Sequence, residues 1–170
     1  MHGQPPIVIE PYDPAWPEKF ESEKVLLEEL LKPWLAGPVE HIGSTSVPGI
    51  PAKPIIDIAG PVFDLESSLP AIEAAAQLSY CYFPYKPDQF HWFCKPSDVE
   101  RTHHFHLVPI GAPLWKERLF FRDYLRSHPE AASDYADLKF RLAELHREDR
   151  EAYTDAKTEF IEGILALANR

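Results

Sequence analysis

From residue 113 the hydrophobic period of this chain becomes helical to the end, and that change limits the folds open to it. Up to Pro109, short apolar runs of strand length alternate with two helical stretches. Beyond residue 113 apolar residues recur every three or four positions, the period of a buried helix face. Proline punctuates the first part at Pro5, Pro14, Pro38, Pro48, Pro51, Pro54, Pro84 and Pro109, so the elements there are short and joined by pre-set turns. Ile7-Val8-Ile9-Glu10 reads as a strand. Asp13-Pro14 reads as the cap and first residue of a helix carrying Trp16, Phe20, Leu27, Leu30, Leu31 and Trp34, ended by Gly37-Pro38. Strands are expected at Val39 to Ile42, Pro54 to Ala59, Tyr80 to Tyr85, Phe90 to Lys95 and Thr102 to Pro109, with a helix from Leu65 to Ser79. Helices are expected from Trp115 to Ser127, and from Pro129 with the stripe Ala131, Tyr135, Leu138, Leu142 and Leu145. A last one carries Tyr153, Ala156, Phe160, Ile164 and Leu167. A mixed sheet followed by a helical C-terminal third predicts an α/β (α+β) domain spanning residues 1–170.

Charge and cysteine content narrow the function classes. A formal net charge of −10 repels nucleic acid phosphates, so DNA and RNA are not expected partners. The two cysteines form no framework and suit a reducing compartment. Met1 to Pro6 lacks the basic and apolar regions of a signal peptide, and no apolar run has bilayer length, so a cytoplasmic protein without a membrane partner is expected.

Four features carry chemistry. His41-Ile42-Gly43-Ser44-Thr45-Ser46 is a strand running into a small-residue turn. It reads either as an ordinary N-cap turn or, if a helix starts at Thr45 or Ser46, as an anion site. It is not a Walker loop, because no lysine follows a second glycine. Asp57 stands among Ile55, Ile56 and Ile58, where an ionised carboxylate needs a partner, a sheet edge or a cleft. Pairing with Lys53 and contact with a metal-bound nucleotide are both open. In a strand, His104 and His106 share one face and Phe105 and Leu107 the other, so the two imidazoles either join Asp57 at a divalent metal or phosphate, or are simply half-exposed strand histidines. Arg118, Arg122 and Arg126 recur every four residues as a basic ridge that either binds phosphate or pairs with Glu117, Asp123 or Glu130. Lys139 flanks the stripe of the next helix and is able to point into the same cleft.

Glu40-His41-Ile42-Gly43-Ser44-Thr45-Ser46-Val47-Pro48-Gly49-Ile50, followed by Ala52-Lys53-Pro54-Ile55-Ile56-Asp57-Ile58, resembles the signature of the GrpB family, also called UPF0157. Further matches are Tyr12-Asp13-Pro14 with Trp16, His104-Phe105-His106-Leu107, Phe121-Arg122-Asp123-Tyr124-Leu125-Arg126, Tyr135 with Leu138-Lys139, and Tyr153 with Lys157, so the resemblance covers nearly the whole chain. That family is similar to the nucleotidyltransferase superfamily, whose polymerase-β-like fold is a mixed sheet flanked by helices. The resemblance implies that Gly43 and Ser44 contact a triphosphate and that Asp57 is the first ligand of Mg²⁺ or another divalent metal. Two departures stand out: Ala59 occupies the second carboxylate position, and Thr102 to Pro109 contains no acid, only His104 and His106. The implied function is nucleotidyl transfer to a small molecule or protein. Asp57, His104 and His106 would be the catalytic and metal-binding residues; Gly43, Ser44, Thr45, Lys53, Arg122, Arg126 and Lys139 would bind a nucleotide or phosphorylated small molecule. The alternatives are a non-catalytic nucleotide-binding module, in keeping with the fusion of GrpB-like domains to dephospho-CoA kinase, and a metal-dependent phosphoester hydrolase.

Overall fold

The structure, a computed structural model, describes residues 5–169; Met1–Gln4, within the stretch read as carrying no signal peptide, and Arg170 lie outside that range. Five strands form one mixed sheet: β1 (Glu40–Ile42), β2 (Ile56–Val62), β3 (Cys81–Phe83), β4 (His91–Pro96) and β5 (Arg101–Pro109), in the order β1-β2-β5-β4-β3. β2 and β5 run parallel; the other neighbours are antiparallel.

Strand alternation sorts the residues onto two faces. Ile56, Ile58, Phe93, Phe105 and Leu107 point to one face. There they meet α1 (Trp16–Leu31) through Trp16, Phe20, Leu27 and Leu31, and α2 (Pro70–Ala75) through Ala71 and Ala75. Ile42, Ala59 and Val108 point to the other face, against Trp115 of α3 (Pro113–Ser127). α4 (Pro129–Leu145), α5 (Arg150–Ala156) and α6 (Thr158–Leu165) complete that second layer around Tyr135, Leu125 and Tyr153. Among the described residues, no helix is long and apolar enough to cross a membrane.

Several expected elements come out differently. Ile7–Glu10 is not a strand; only Glu10 bridges Ala52, with no further ladder to extend. The first helix starts at Trp16, because Asp13 Oδ1 accepts from the Ala15 N–H at 2.8 Å and opens a turn first. The helix expected from Leu65 is only Pro70–Ala75 followed by one 3₁₀ turn. Upstream of it the Asp64 carboxylate ties the Ser67 N–H and hydroxyl into a turn that competes with the helix. The last helix is split at Lys157 into α5 and α6.

The face of α4 is rotated by one residue from the expected stripe. Ala132, Tyr135, Ala136, Lys139 and Ala143 are buried, while Leu145 is 73% exposed. Three alanines let α4 lie close to its neighbours, and the position that its leucines would fill is taken by a lysine aimed inward.

Candidate cationic site

One row of residues crosses the sheet. Ile42 pairs with Asp57, Asp57 with His104, His104 with Cys94, and Cys94 with Cys81. Paired residues share a face, so Asp57 and His104 look toward the C-terminal helices, joined one step along by His106.

The turn after β1 closes over Asp57. Gly43 has φ +71°, and a Cβ there would lie 2.8 Å from Asp57 Oδ2 and 2.9 Å from Asp57 Cβ. Glycine is thus required twice, by backbone conformation and by contact with the carboxylate. Ser44–Ser46 form a single 3₁₀ turn, not the start of a longer helix, and the N–H groups of Ser46 and Val47 bond the carbonyls of Gly43 and Ser44. Thr45 is structural: its Oγ1 lies 2.9 Å from His41 Nε2 and donates to the Ile55 carbonyl. His41 stacks on Phe20 and is pushed down to about 3 by burial and by Arg126 and Arg122, so it stays neutral. Ser44 lies beside the Tyr135 phenol.

Asp57 Oδ1 is sealed from water and accepts no hydrogen bond, although the whole side chain keeps 29% exposure. Opposite it, 3.7 Å away, is His106 Nδ1, also buried and unpartnered, and His104 Nε2 is a third orphan. At that distance the first two do not hydrogen-bond. Burial holds both imidazoles well below their usual range, with Arg118 adding to the effect on His106 and Lys53 on His104. Burial raises Asp57, opposed by Arg118, Lys53 and Lys157.

Cations surround this carboxylate. The Lys53 and Lys157 ammoniums lie 5.0 and 4.6 Å from the centroid of the Tyr153 ring, whose own hydroxyl is buried and unpartnered. Lys139 donates to the Pro51 carbonyl at 2.6 Å and lies 5.1 Å from the Tyr135 ring centroid. Burial and mutual repulsion pull Lys53 and Lys139 down to about 7; burial pulls Lys157 down to about 8, partly offset by Asp57. Arg118 Nε is buried without a partner, as are Nε and Nη1 of Arg150. Among the described residues, none of Lys53, Lys139, Lys157, Arg118 and Arg150 has a carboxylate oxygen within 4 Å.

The structure thus brings together Gly43, Ser44, Lys53, Asp57, His104, His106 and Lys139. Arg122 and Arg126 are occupied elsewhere. Arg122 bonds Glu40 at 2.6 Å, Asp123 at 2.8 Å and the His41 carbonyl at 3.1 Å; Arg126 donates to the Ser46 carbonyl at 2.9 Å. They brace α3 against the turn. Their ridge-mate Arg118, one turn earlier, is the arginine whose charge acts most on Asp57. Sequence reasoning left Arg118 out of the site, along with Arg150, Lys157 and Tyr153. Four-residue spacing flagged the first, and the last two already stood among the family matches. Nothing in the sequence flagged Arg150.

The donor set does not fit a divalent metal. Among the described residues, no three His, Cys, Asp or Glu side chains are grouped to hold a cation, and the lone carboxylate is ringed by positive charge.

Fold and site together define a class: a mixed α/β protein with one sheet face given to a cluster of cations around a single carboxylate. The GrpB protein family model matches residues 6–167, and the chain belongs to that family. It is 40% identical over 170 residues to a UPF0157 protein of Pseudomonas aeruginosa, spanning 95% of this chain and 67% of that one. The crystal structure of the conserved protein GrpB from Enterococcus faecalis matches with a TM-score of 0.84 at 35% identity, covering 95% of this chain and 96% of the other. A dephospho-CoA kinase of Mycobacterium leprae is 30% identical over 150 residues, covering 70% of this chain and 36% of the kinase.

Proposed function

We propose that the pocket between Gly43-Ser44, Asp57 and α4–α6 binds a phosphorylated anion of nucleotide type, with Lys53, Lys139, Lys157 and Arg118 neutralising the phosphates. One observation carries this reading: Lys139 is buried, Arg118 and Arg150 bury guanidinium nitrogens without a partner, and none of these, nor the half-buried Lys53 and Lys157, has a carboxylate oxygen within 4 Å among the described residues, in a chain that carries ten excess acids. Such a cluster is costly empty and stabilised when an anion fills it. The placement of Gly43-Ser44 next to Asp57 supports the resemblance to nucleotidyltransferases. The chain does not supply the carboxylate set for two metals, since Ala59 and the acid-free β5 leave Asp57 alone. Asp57 is therefore assigned to orienting the lysines, or to accepting a hydroxyl of the ligand.

A second reading rests on the stretch shared with the dephospho-CoA kinase. There the pocket holds the nucleotide end of a coenzyme A precursor without turning it over, and the protein assists a partner enzyme.

Calorimetry and thermal melts with pyrophosphate, ATP and dephospho-CoA, each with and without Mg²⁺, test both readings. Binding of a ligand at a hundred times its Kd raises stability by about 2.7 kcal/mol, easily seen in a melt. Pyrophosphate release from ATP would add a transferase activity, and orthophosphate release from simple esters a hydrolase. No shift with any phosphate ligand would remove the anion-binding reading altogether.

A further inference from the structure

The row through the site ends at the sheet edge in two cysteines. Cys81 of β3 and Cys94 of β4 are directly opposite in an antiparallel pair. Opposed residues in such a pair have Cα atoms about 4.5–5.5 Å apart, inside the 4.4–6.8 Å range of disulfides. Both Sγ atoms reach toward the same turn: Cys81 to the Pro96 carbonyl at 3.6 Å, Cys94 to that of Ser97 at 3.4 Å. Cys94 is fully buried, Cys81 half-exposed, and both are free thiols. β3 has three residues and pairs only with β4, so it is able to make the small closure that a bond needs.

We propose that Cys81 and Cys94 are an intramolecular disulfide-forming site, oxidised by hydroperoxides. The exposed Cys81 sulfur attacks the peroxide, giving a sulfenic acid and one molecule of water or alcohol. The Cys94 sulfur then attacks that sulfenic sulfur. The S–S bond forms, the hydroxyl leaves and takes the proton released by Cys94, and a second water results. Two thiols and one hydroperoxide thus give one disulfide, one alcohol or water, and one water. Cys94 is also the cross-strand partner of His104, and burial, with Cys81 and Asp98 beside it, pushes its thiol up against the opposing Arg101 and Arg150 guanidiniums, so the half-exposed Cys81 is the sulfur that reacts first. The bond would therefore fix the strand next to the cationic pocket. This proposal does not depend on the ligand of that pocket.

The test uses the reduced full chain and hydrogen peroxide, read by thiol titration, intact mass and non-reducing peptide mapping. The expected result is loss of both thiols in a monomer lighter by two hydrogens, with Cys81 linked to Cys94 and reversal by dithiothreitol. Cys94→Ser is expected to leave Cys81 as a trappable sulfenic acid. Over-oxidation of Cys81 with Cys94 still a thiol, or crosslinks only between molecules, overturns the proposal. So does a failure of either thiol to react while the protein stays folded by circular dichroism.

Discussion

On the α1 face of the sheet, Glu23 is buried beside Tyr80, Lys95 and His103. Tyr80 donates to its Oε1 at 2.7 Å, Lys95 bonds the same oxygen, and His103 Nε2 stands 3.9 Å from Oε2. On the opposite face, the half-buried Asp57 lies beside three lysines, Arg118 and two histidines, and its Oδ1 is sealed and meets no donor. The two clusters use the same residue types. One is closed on itself and needs nothing; the other leaves atoms on Asp57, His104, His106, Arg118, Arg150 and Tyr153 unmatched. Buried polar groups left open in one region, with those of the other well satisfied, concentrate unfavourable electrostatics on one face of the sheet, which is what the proposed anion site requires.

The largest break in this contrast comes from the closed side. Glu23→Ala strands a buried Lys95 and a Tyr80 phenol. It is expected to cost about 3–5 kcal/mol, read as a drop in Tm of about 10 °C, with phosphate affinity unchanged in the protein that still folds. Gly43→Ala comes next. A positive φ and a Cβ 2.8 Å from Asp57 Oδ2 are expected to cost about 1–3 kcal/mol and to abolish the ligand-induced rise in Tm. Lys157→Met should act in the opposite sense. Removing one of the crowded cations raises the stability of the ligand-free protein by about 1 kcal/mol while weakening pyrophosphate binding at least tenfold. If Lys157→Met destabilises by melt, the open cluster is no reservoir of repulsion and the contrast fails.

The smallest effect is on pH. In the free protein Lys53 and Lys139 are held near 7, below their usual 10.5, and Lys157 near 8. A bound anion raises all three, so binding takes up protons. Affinity is then greatest below about 7 and falls as pH rises through the ligand-bound values. The stability of the free protein runs the other way: the charged lysines oppose folding fully below about 7, and that penalty fades toward 10.5. Calorimetry in buffers of different ionisation enthalpy, between pH 6.5 and 9, reads the proton uptake directly. Equal affinity across that range contradicts the assignment of the lysines.

Much of this was legible in the sequence because strand alternation is a local property. The sharing of a face by Asp57, His104 and His106, and the glycine turn beside them, follow from a period of two. The failures come from the helices. Arg118, Arg122 and Arg126 are equivalent by spacing, and only the packing of α3 decides that Glu40 captures Arg122 while Arg118 keeps its charge free to act on Asp57. Likewise leucines outrank alanines in any hydrophobic count, yet Ala132, Ala136 and Ala143 set the phase of α4 by letting it approach closely and so carry Lys139 inward. Helix phase depends on neighbours that sequence pattern does not see.

The outermost strands, β1 and β3, are three residues each, whereas the central β5 has nine. A second chain seeking to extend the sheet thus finds a ladder only a few bonds long on either side. The long, β-branched and aromatic strands that would template such growth are kept inside. The arrangement that leaves a polar pocket open on one face therefore carries little risk of edge-to-edge aggregation at concentrations where many β-rich proteins precipitate.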